Sequence, residues 1–153
     1  MKLKDVMSTD LEYVTVHDNL YEAACLMRDY NIGLVPVVDQ KKKLVGVVTD
    51  RDLVVRGIAE RRPNSLEVGK VMSSVLVKGS PDMTVEEAIQ QMQDAQVRRL
   101  PVVNPEDQLV GIVTLGDLAK KKPKEKMISQ TLSKISEDRN PYASNDIQSP
   151  YVQ

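Results

Sequence analysis

The chain has no phenylalanine and no tryptophan, and its aromatic set is five tyrosines. Single-stranded nucleic acid is usually held by stacking bases on several aromatic rings, so that mode of binding is disfavoured. There is one cysteine, Cys25, which excludes an intrachain disulfide and suits a reducing compartment. Its place in a helical stretch beside Ala24 reads as a core thiol. There is one histidine, His17, with no cysteine near it, so the usual ligand set of a zinc site is missing. Neither sign of charge dominates, with 21 Lys plus Arg against 22 Asp plus Glu. That balance argues against a broad nucleic-acid or membrane footprint. A basic stretch from Lys120 to Lys126 is the local exception, and such a run is ordinarily a solvated face. No apolar run approaches the roughly 18 residues of a membrane span. The opening MKLKDVMSTD lacks the apolar core of a signal peptide. A cytoplasmic protein without a membrane partner is expected. No nucleophile and base stand together in a recognisable motif, so no enzyme is expected.

What the chain does have is the same unit twice. Shifted by 65 positions, Val6-Met7-Ser8 falls on Val71-Met72-Ser73, and Pro36-Val37-Val38 falls on Pro101-Val102-Val103. GVVTDRDL (Gly46 to Leu53) falls on GIVTLGDL (Gly111 to Leu118), and 18 of the fifty positions from Val6 to Val55 are identical in the copy. A repeat of this kind is one structural module used as a pair. Each copy, at about fifty residues, is near the size where a lone core fails, so the two are expected to fold as one body. The boundaries read as 1–60 for the first copy, 66–122 for the second and 123–153 for a tail. Glu60 to Ser65 links the copies. The tail holds one short helical stretch marked by Met127, Ile128, Leu132 and Ile135.

Within each copy the element order follows from local signals. Asn19 with Glu22, and Thr84 with Glu87, fit a capping box at matching places. Behind them run Leu20, Ala23, Ala24, Met27 and Tyr30, and then Val85, Ala88, Ile89, Met92 and Val97, near helical spacing. Leu34 to Val38 and Leu44 to Val48 are short apolar runs separated by a polar turn, which predicts a hairpin. Proline within the first run predicts an edge position or the start of a strand. Thr49 with Asp52, and Thr114 with Asp117, have the spacing of a helix N-cap and its third residue. Short extended segments around Thr15 and Ser80 precede the first helices. A short helical lead-in, Leu3 to Met7 or Val68 to Met72, comes before each copy. Met7, Met27, Met72 and Met92 are expected to fill the core.

These pieces together resemble the CBS-domain family, over roughly Met1 to Lys122. The resemblance rests on the opening VMS, the capped helix, the strands GLVPVV and RRLPVV, and G-h-h-T-x-x-D followed by Leu. It implies an α+β fold of tandem β-α-β-β-α repeats, with small mixed sheets packed together through pseudo-two-fold symmetry. It also implies two clefts between the copies, each able to hold an adenosine-containing ligand, and a homodimer.

The residues divide among the surfaces of such a ligand. A carboxylate can accept hydrogen bonds from both hydroxyls of a ribose. Asp52 and Asp117 stand where the family has its ribose-binding aspartate, and Thr49 and Thr114 where it has a threonine for ribose or phosphate. Capping alone would also explain both pairs. Phosphates need cations, and Arg98-Arg99 in the second copy replaces the uncharged Gly33-Leu34 of the first. VRRLPVV resembles the nucleotide-binding repeats of the gamma subunit of AMP-activated protein kinase. At least one of the two arginines is expected to face the cleft, because successive strand residues point opposite ways. Arg51 either serves phosphates or pairs with Asp50 or Asp52. Adenine would lie, as in the family, between Thr15-Val16 and Gly33-Leu34 in one copy. In the other it would lie between Ser80-Pro81 and Val97-Arg98.

The function expected is a regulatory module that senses adenine nucleotides and signals occupancy to a regulated protein by a change of shape. No obligatory cofactor and no metal are expected. A ligand-free dimeric scaffold stays open as an alternative. So does a binder of S-adenosylmethionine, NAD or a cyclic dinucleotide.

Overall fold

A computed structural model describes residues 1–75 and 77–120, without the side chains of 119 and 120. The tail 123–153, its expected helical stretch and the basic run beyond residue 120 lie outside the described residues.

Each copy is built on one antiparallel hairpin. In the first, Leu34–Val38 (β2) pairs with Leu44–Thr49 (β3), and in the second Arg99–Val103 (β4) pairs with Leu109–Thr114 (β5). Asp39 closes the first turn, accepting the Lys41 and Lys43 N–H groups at 2.8 and 2.9 Å. Asn104 does the same for Glu106 and Gln108 at 3.1 and 2.9 Å. Short polar side chains that bond their own backbone favour such turns.

Pro36 does not lie at an edge. A two-residue strand, Val14–Thr15 (β1), pairs parallel to β2, so β2 is central in the order β1-β2-β3. The proline is tolerated because of its register. The Asp50 N–H donates to the Gly33 carbonyl, which makes alternate pairs of the hairpin hydrogen-bonded. Pro36, opposite Val47, falls on a pair that needs no N–H toward β3. β1 begins only at Val14, opposite Val37, just beyond the proline. In the second copy a single bridge from Gly79 to Val102 stands in for β1.

Helices Leu20–Tyr30 (α1) and Val85–Ala95 (α3) cross over between these strands. Thr84 and Glu87 form the full reciprocal box. Asn19 caps α1 by accepting the Glu22 N–H at 2.9 Å, but Glu22 does not return the bond. The α3 stripe is buried at Val85, Ala88, Ile89 and Met92, and Val97 packs on that core from beyond the helix. The α1 stripe is narrower than its spacing suggests. Leu20 and Ala23 are buried and Met27 packs against them, while Ala24 and Tyr30 are exposed. Cys25 is half-buried rather than central. After β3 comes Asp50–Asp52 (α2), which continues as a π-helix over Leu53–Ile58. After β5 comes Leu115–Lys120 (α4).

The lead-ins change places. The 3₁₀ turn Leu3–Asp5 packs in the core of the second copy, and Leu3 is 0% exposed among Val85, Ile89, Met92, Leu100 and Leu118. The turn Val68–Lys70 packs in the core of the first, with Val68 buried among Val14, Val35, Val37 and Val48. Ser8 exchanges both backbone bonds with Ile112 at 2.9 and 3.0 Å, and Ser73 does so with Val47 at 2.7 and 2.9 Å. Each copy is therefore completed by a segment that precedes the other.

The two hairpins also meet directly. The Leu44 N–H donates to the Asp107 carbonyl and the Leu109 N–H to the Lys42 carbonyl, both at 3.0 Å. These bonds are related by the 65-residue shift, as a pseudo-two-fold axis requires. A shared apolar cluster of Val38, Leu44, Val103 and Leu109 covers that axis.

The exchange explains the glycine of the repeated G-h-h-T block. A Cβ on Gly46 would stand 2.8 Å from Met72 Sδ and 2.9 Å from the Ser73 carbonyl oxygen. On Gly111 the three nearest atoms it would meet all belong to the Met7 side chain. Methionine can move aside, whereas a paired backbone cannot. Gly46→Ala is therefore expected to destabilise the fold by about 1–3 kcal/mol, and Gly111→Ala by less. Denaturant titration of both variants measures the difference, and equal losses would contradict the backbone explanation.

Candidate ligand site

Both Thr-x-x-Asp boxes form. The Asp52 N–H donates to Thr49 Oγ1 at 3.1 Å, and the Thr49 N–H donates to Asp52 Oδ2 at 3.0 Å. The Asp117 N–H donates to Thr114 Oγ1 and the Thr114 N–H to Asp117 Oδ2, both at 3.0 Å. The capping role is thus present in each copy, and it fixes where each carboxylate stands.

Register decides what shares the end of each hairpin. Leu34 lies opposite Thr49 and Arg99 opposite Thr114. The Leu115 N–H donates to the Arg98 carbonyl at 3.2 Å, so Arg99 and Thr114 form the closer, non-hydrogen-bonded kind of pair. Side chains of such a pair project to one face. Leu100 and Val102 enter the helix-covered core, whereas Val103 enters the cluster shared by both copies. Alternation then puts Arg99 with Thr114 on the face turned toward the other copy, and Arg98 on the opposite face. In the first copy Leu34 and Thr49 occupy the matching face, since Val38 belongs to the shared cluster and Val35 and Val37 to the core. The turn ends of the hairpins meet at the pseudo-axis, so these two ends point apart.

The ends are chemically unequal. Asp50 stands beside Gly33 in the first copy, where a Cβ would lie 3.2 Å from its Oδ2. Asp50 Oδ1 accepts the Arg51 N–H at 2.8 Å, and the Arg51 side chain is exposed. The matching positions of the second copy are Leu115, Arg98 and Gly116. Arg56 is turned to the exchanged lead-in, donating to the Val71 and Met72 carbonyls at 3.3 and 3.1 Å, with its Nε 4.0 Å from Asp52 Oδ1.

The carboxylates differ most. Asp52 is the buried charged residue of the described chain, at 7% exposure. The Ser73 hydroxyl lies 2.9 Å from its Oδ1 and 3.1 Å from its Oδ2. Asp117 is only half-buried, and among the described residues no hydroxyl reaches it except through its own cap. Ser73 is a site residue that sequence reasoning missed. The signal was the serine of the repeated VMS, read there only as part of a pattern.

Other candidates, Gly33 apart, are not brought to these ends. Thr15 pairs beside Val38, at the far end of β2 from Leu34. Val16 packs in the first core and its carbonyl accepts the Gly69 N–H of the exchanged lead-in at 3.0 Å. Ser80 is exposed in the turn before α3, its carbonyl accepting the Met83 N–H, and the Pro81 carbonyl accepts the Lys4 N–H. Val97 packs on the second core, and Gly33 is exposed at the hairpin end. His17 Nδ1 lies 3.3 Å from Glu67 Oε2. Among the described residues no three His, Cys, Asp or Glu side chains are grouped to hold a metal. No helix among them is long and apolar enough to cross a membrane.

A family model for the CBS domain matches residues 3–57 and again 68–124. The chain belongs to the CBS-domain family. It is an α+β tandem CBS pair, as the duplicated motifs implied. It is 47% identical over 140 residues to the uncharacterized protein YlbB of Bacillus subtilis, covering 91% of this chain and 94% of that one. Among solved structures it resembles CBSX2 in complex with AMP, with a TM-score of 0.69 and 26% identity, over 78% of this chain and 94% of that one. It also resembles the CBS domain pair of MJ0100 in complex with 5′-methylthioadenosine and S-adenosyl-L-methionine. There the TM-score is 0.67 and the identity 26%, over 79% and 94% of the two chains. CBS pairs of this kind are ligand-binding regulatory modules, and the ligands of these two neighbours share an adenosine group.

Proposed function

We propose that this CBS pair binds adenine nucleotides of the AMP, ADP and ATP class and reports occupancy through the relative placement of its two copies. The observation that carries the reading is the pairing of Arg99 with Thr114, beside the accessible carboxylate of Asp117. That end offers a guanidinium for phosphate and a carboxylate for a sugar diol, the two charge-assisted contacts such a ligand needs. A nucleotide that prefers one arrangement of the copies would shift the pair toward it, and a regulated protein could read the result. No catalytic group is assigned, and no cofactor is required.

A homodimer in the cytoplasm is part of the same proposal. The π-helix leaves Val54, Val55 and Ile58 exposed, Ile58 at 72%. An apolar group of this kind on a short helix suits a second copy. A scaffold with empty clefts is the second reading, favoured by the Ser73 hydroxyl already seated on Asp52.

Isothermal titration with AMP, ADP and ATP tests the proposal, using protein stripped of co-purified ligand by unfolding and refolding. Binding of at least one nucleotide is expected. Absence of heat with all three would leave the scaffold standing.

A further inference from the structure

Asp52 and Asp117 occupy the same place in two copies of one motif, yet among the described residues only Asp52 is engaged by a side chain from elsewhere. Ser73 reaches it from the segment that joins the copies, and that segment is well anchored. Its backbone exchanges two bonds with Val47 at 2.7 and 2.9 Å, and Arg56 holds the Met72 carbonyl at 3.1 Å. The Asp52 side chain is left 9% exposed. Its Oδ2 already accepts the Thr49 N–H, and the Ser73 hydroxyl spans both oxygens. A pair of sugar hydroxyls would have to compete with that hydroxyl for the little of the carboxylate left exposed.

The second copy supplies an internal control. Ser8 precedes it in the exchange, carries the same VMS context and makes the same paired backbone bonds to Ile112. Among the described residues its hydroxyl makes no bond to Asp117. On this shared backbone plan, the bond from Ser73 to Asp52 is one side-chain contact that sets the two carboxylates apart.

We infer that Ser73 is a specificity-determining residue that distinguishes the two clefts. Its hydroxyl takes the place of a ligand's ribose hydroxyl on Asp52, and a nucleotide enters the first cleft only by displacing it. The inference rests on the nucleotide reading given above and assigns the weaker site within it. It also joins occupancy to the seam between the copies, because Val75, two residues on, packs against the cluster shared by both. The opposite role is equally concrete: a serine that merely orients Asp52 would help a ligand bind.

Titration with AMP separates the two roles in the full chain. Asp117→Ala removes the second cleft's carboxylate and leaves the first as the site measured. Adding Ser73→Ala is expected to tighten AMP binding about tenfold, the scale of one hydrogen bond to a charged group. Adding Ser73→Thr instead, which keeps the hydroxyl, should leave the weak affinity as it was. Should the alanine variant fail to fold, Ser73→Cys keeps the volume with a much weaker donor and is expected to tighten binding in the same direction. Unchanged or weaker binding on loss of the hydroxyl, with the wild type still binding AMP, overturns the role of Ser73 alone. No binding by the wild type or any variant removes the nucleotide reading, and this inference with it.

Discussion

Leu3→Ala is expected to destabilise the protein by about 2–5 kcal/mol, the range for emptying a fully buried leucine site. For a chain of this size that corresponds to a fall in Tm of very roughly 5–15 °C. A residue this close to the N-terminus would ordinarily be dispensable. Here it is not, because Leu3 is 0% exposed in the second copy's core and touches no core of its own copy. Its backbone is held as firmly, with the Leu3 N–H on the Met83 carbonyl at 2.9 Å and the Lys4 N–H on the Pro81 carbonyl at 3.0 Å. Part of the gap is lined by backbone rather than by a movable side chain, since a Cβ on Gly79 would stand 2.8 Å from Leu3 Cδ1. The location of the damage is the sharper test. Hydrogen exchange should show protection lost first in α3 and β4, about eighty residues along the chain, and less in α1 and β2. An unchanged melting curve, or a loss confined to α1, would mean that the lead-in does not complete the second copy.

That exchange was not legible in the sequence, and the reason is physical. A 65-residue repeat looks the same whether each lead-in folds onto its own copy or onto the other, because both arrangements bury the same residues in equivalent cores. Local features were legible because their causes are local. Asp39 and Asn104 close turns by bonding neighbouring N–H groups, and Thr84 and Glu87 bond each other three residues apart. Two errors came from reading one signal without its context. Pro36 implied an edge or the start of a strand, but the pairing pattern lets the middle of a central strand carry it. Tyr30 fitted the helical stripe, but α1 packs that stripe only from Leu20 through Ala23 to Met27. The π-helix after Asp52 had no forewarning in the residues. It is visible in five-residue bonds, from the Ala59 N–H to the Val54 carbonyl at 2.8 Å and from Arg62 to Gly57 at 3.0 Å. Gly57 lies against Leu20 there, where a Cβ would crowd Leu20 Cδ1 at 3.1 Å. In the site, the Thr-x-x-Asp boxes and the arginine of the strand could be named from the sequence. The unequal state of the two carboxylates could not, because Ser8 and Ser73 sit in identical words.

Asp117→Ala and Asp52→Ala should therefore fail in different ways. Asp117 is half-buried and bonds only to its own cap among the described residues. Its loss is expected to weaken nucleotide binding more than tenfold, about 1.4 kcal/mol or more. Stability should fall by no more than the ordinary cost of altering a helix cap, about 1 kcal/mol. Asp52 carries a heavier structural load. It accepts from the Thr49 N–H and from the Ser73 hydroxyl, lies near Arg56, and is shielded from water. Removing it strands a half-buried hydroxyl and loosens the exchanged lead-in, so a stability loss of about 1–3 kcal/mol is expected. The tight nucleotide site should change little. Calorimetric titration and thermal melting of both variants check the pattern. If Asp52→Ala proves the more damaging change for binding, the arginine-bearing end is not the principal site. Equal effects on both measurements would place the two carboxylates in one role, and Ser73 would then have no part in telling the clefts apart.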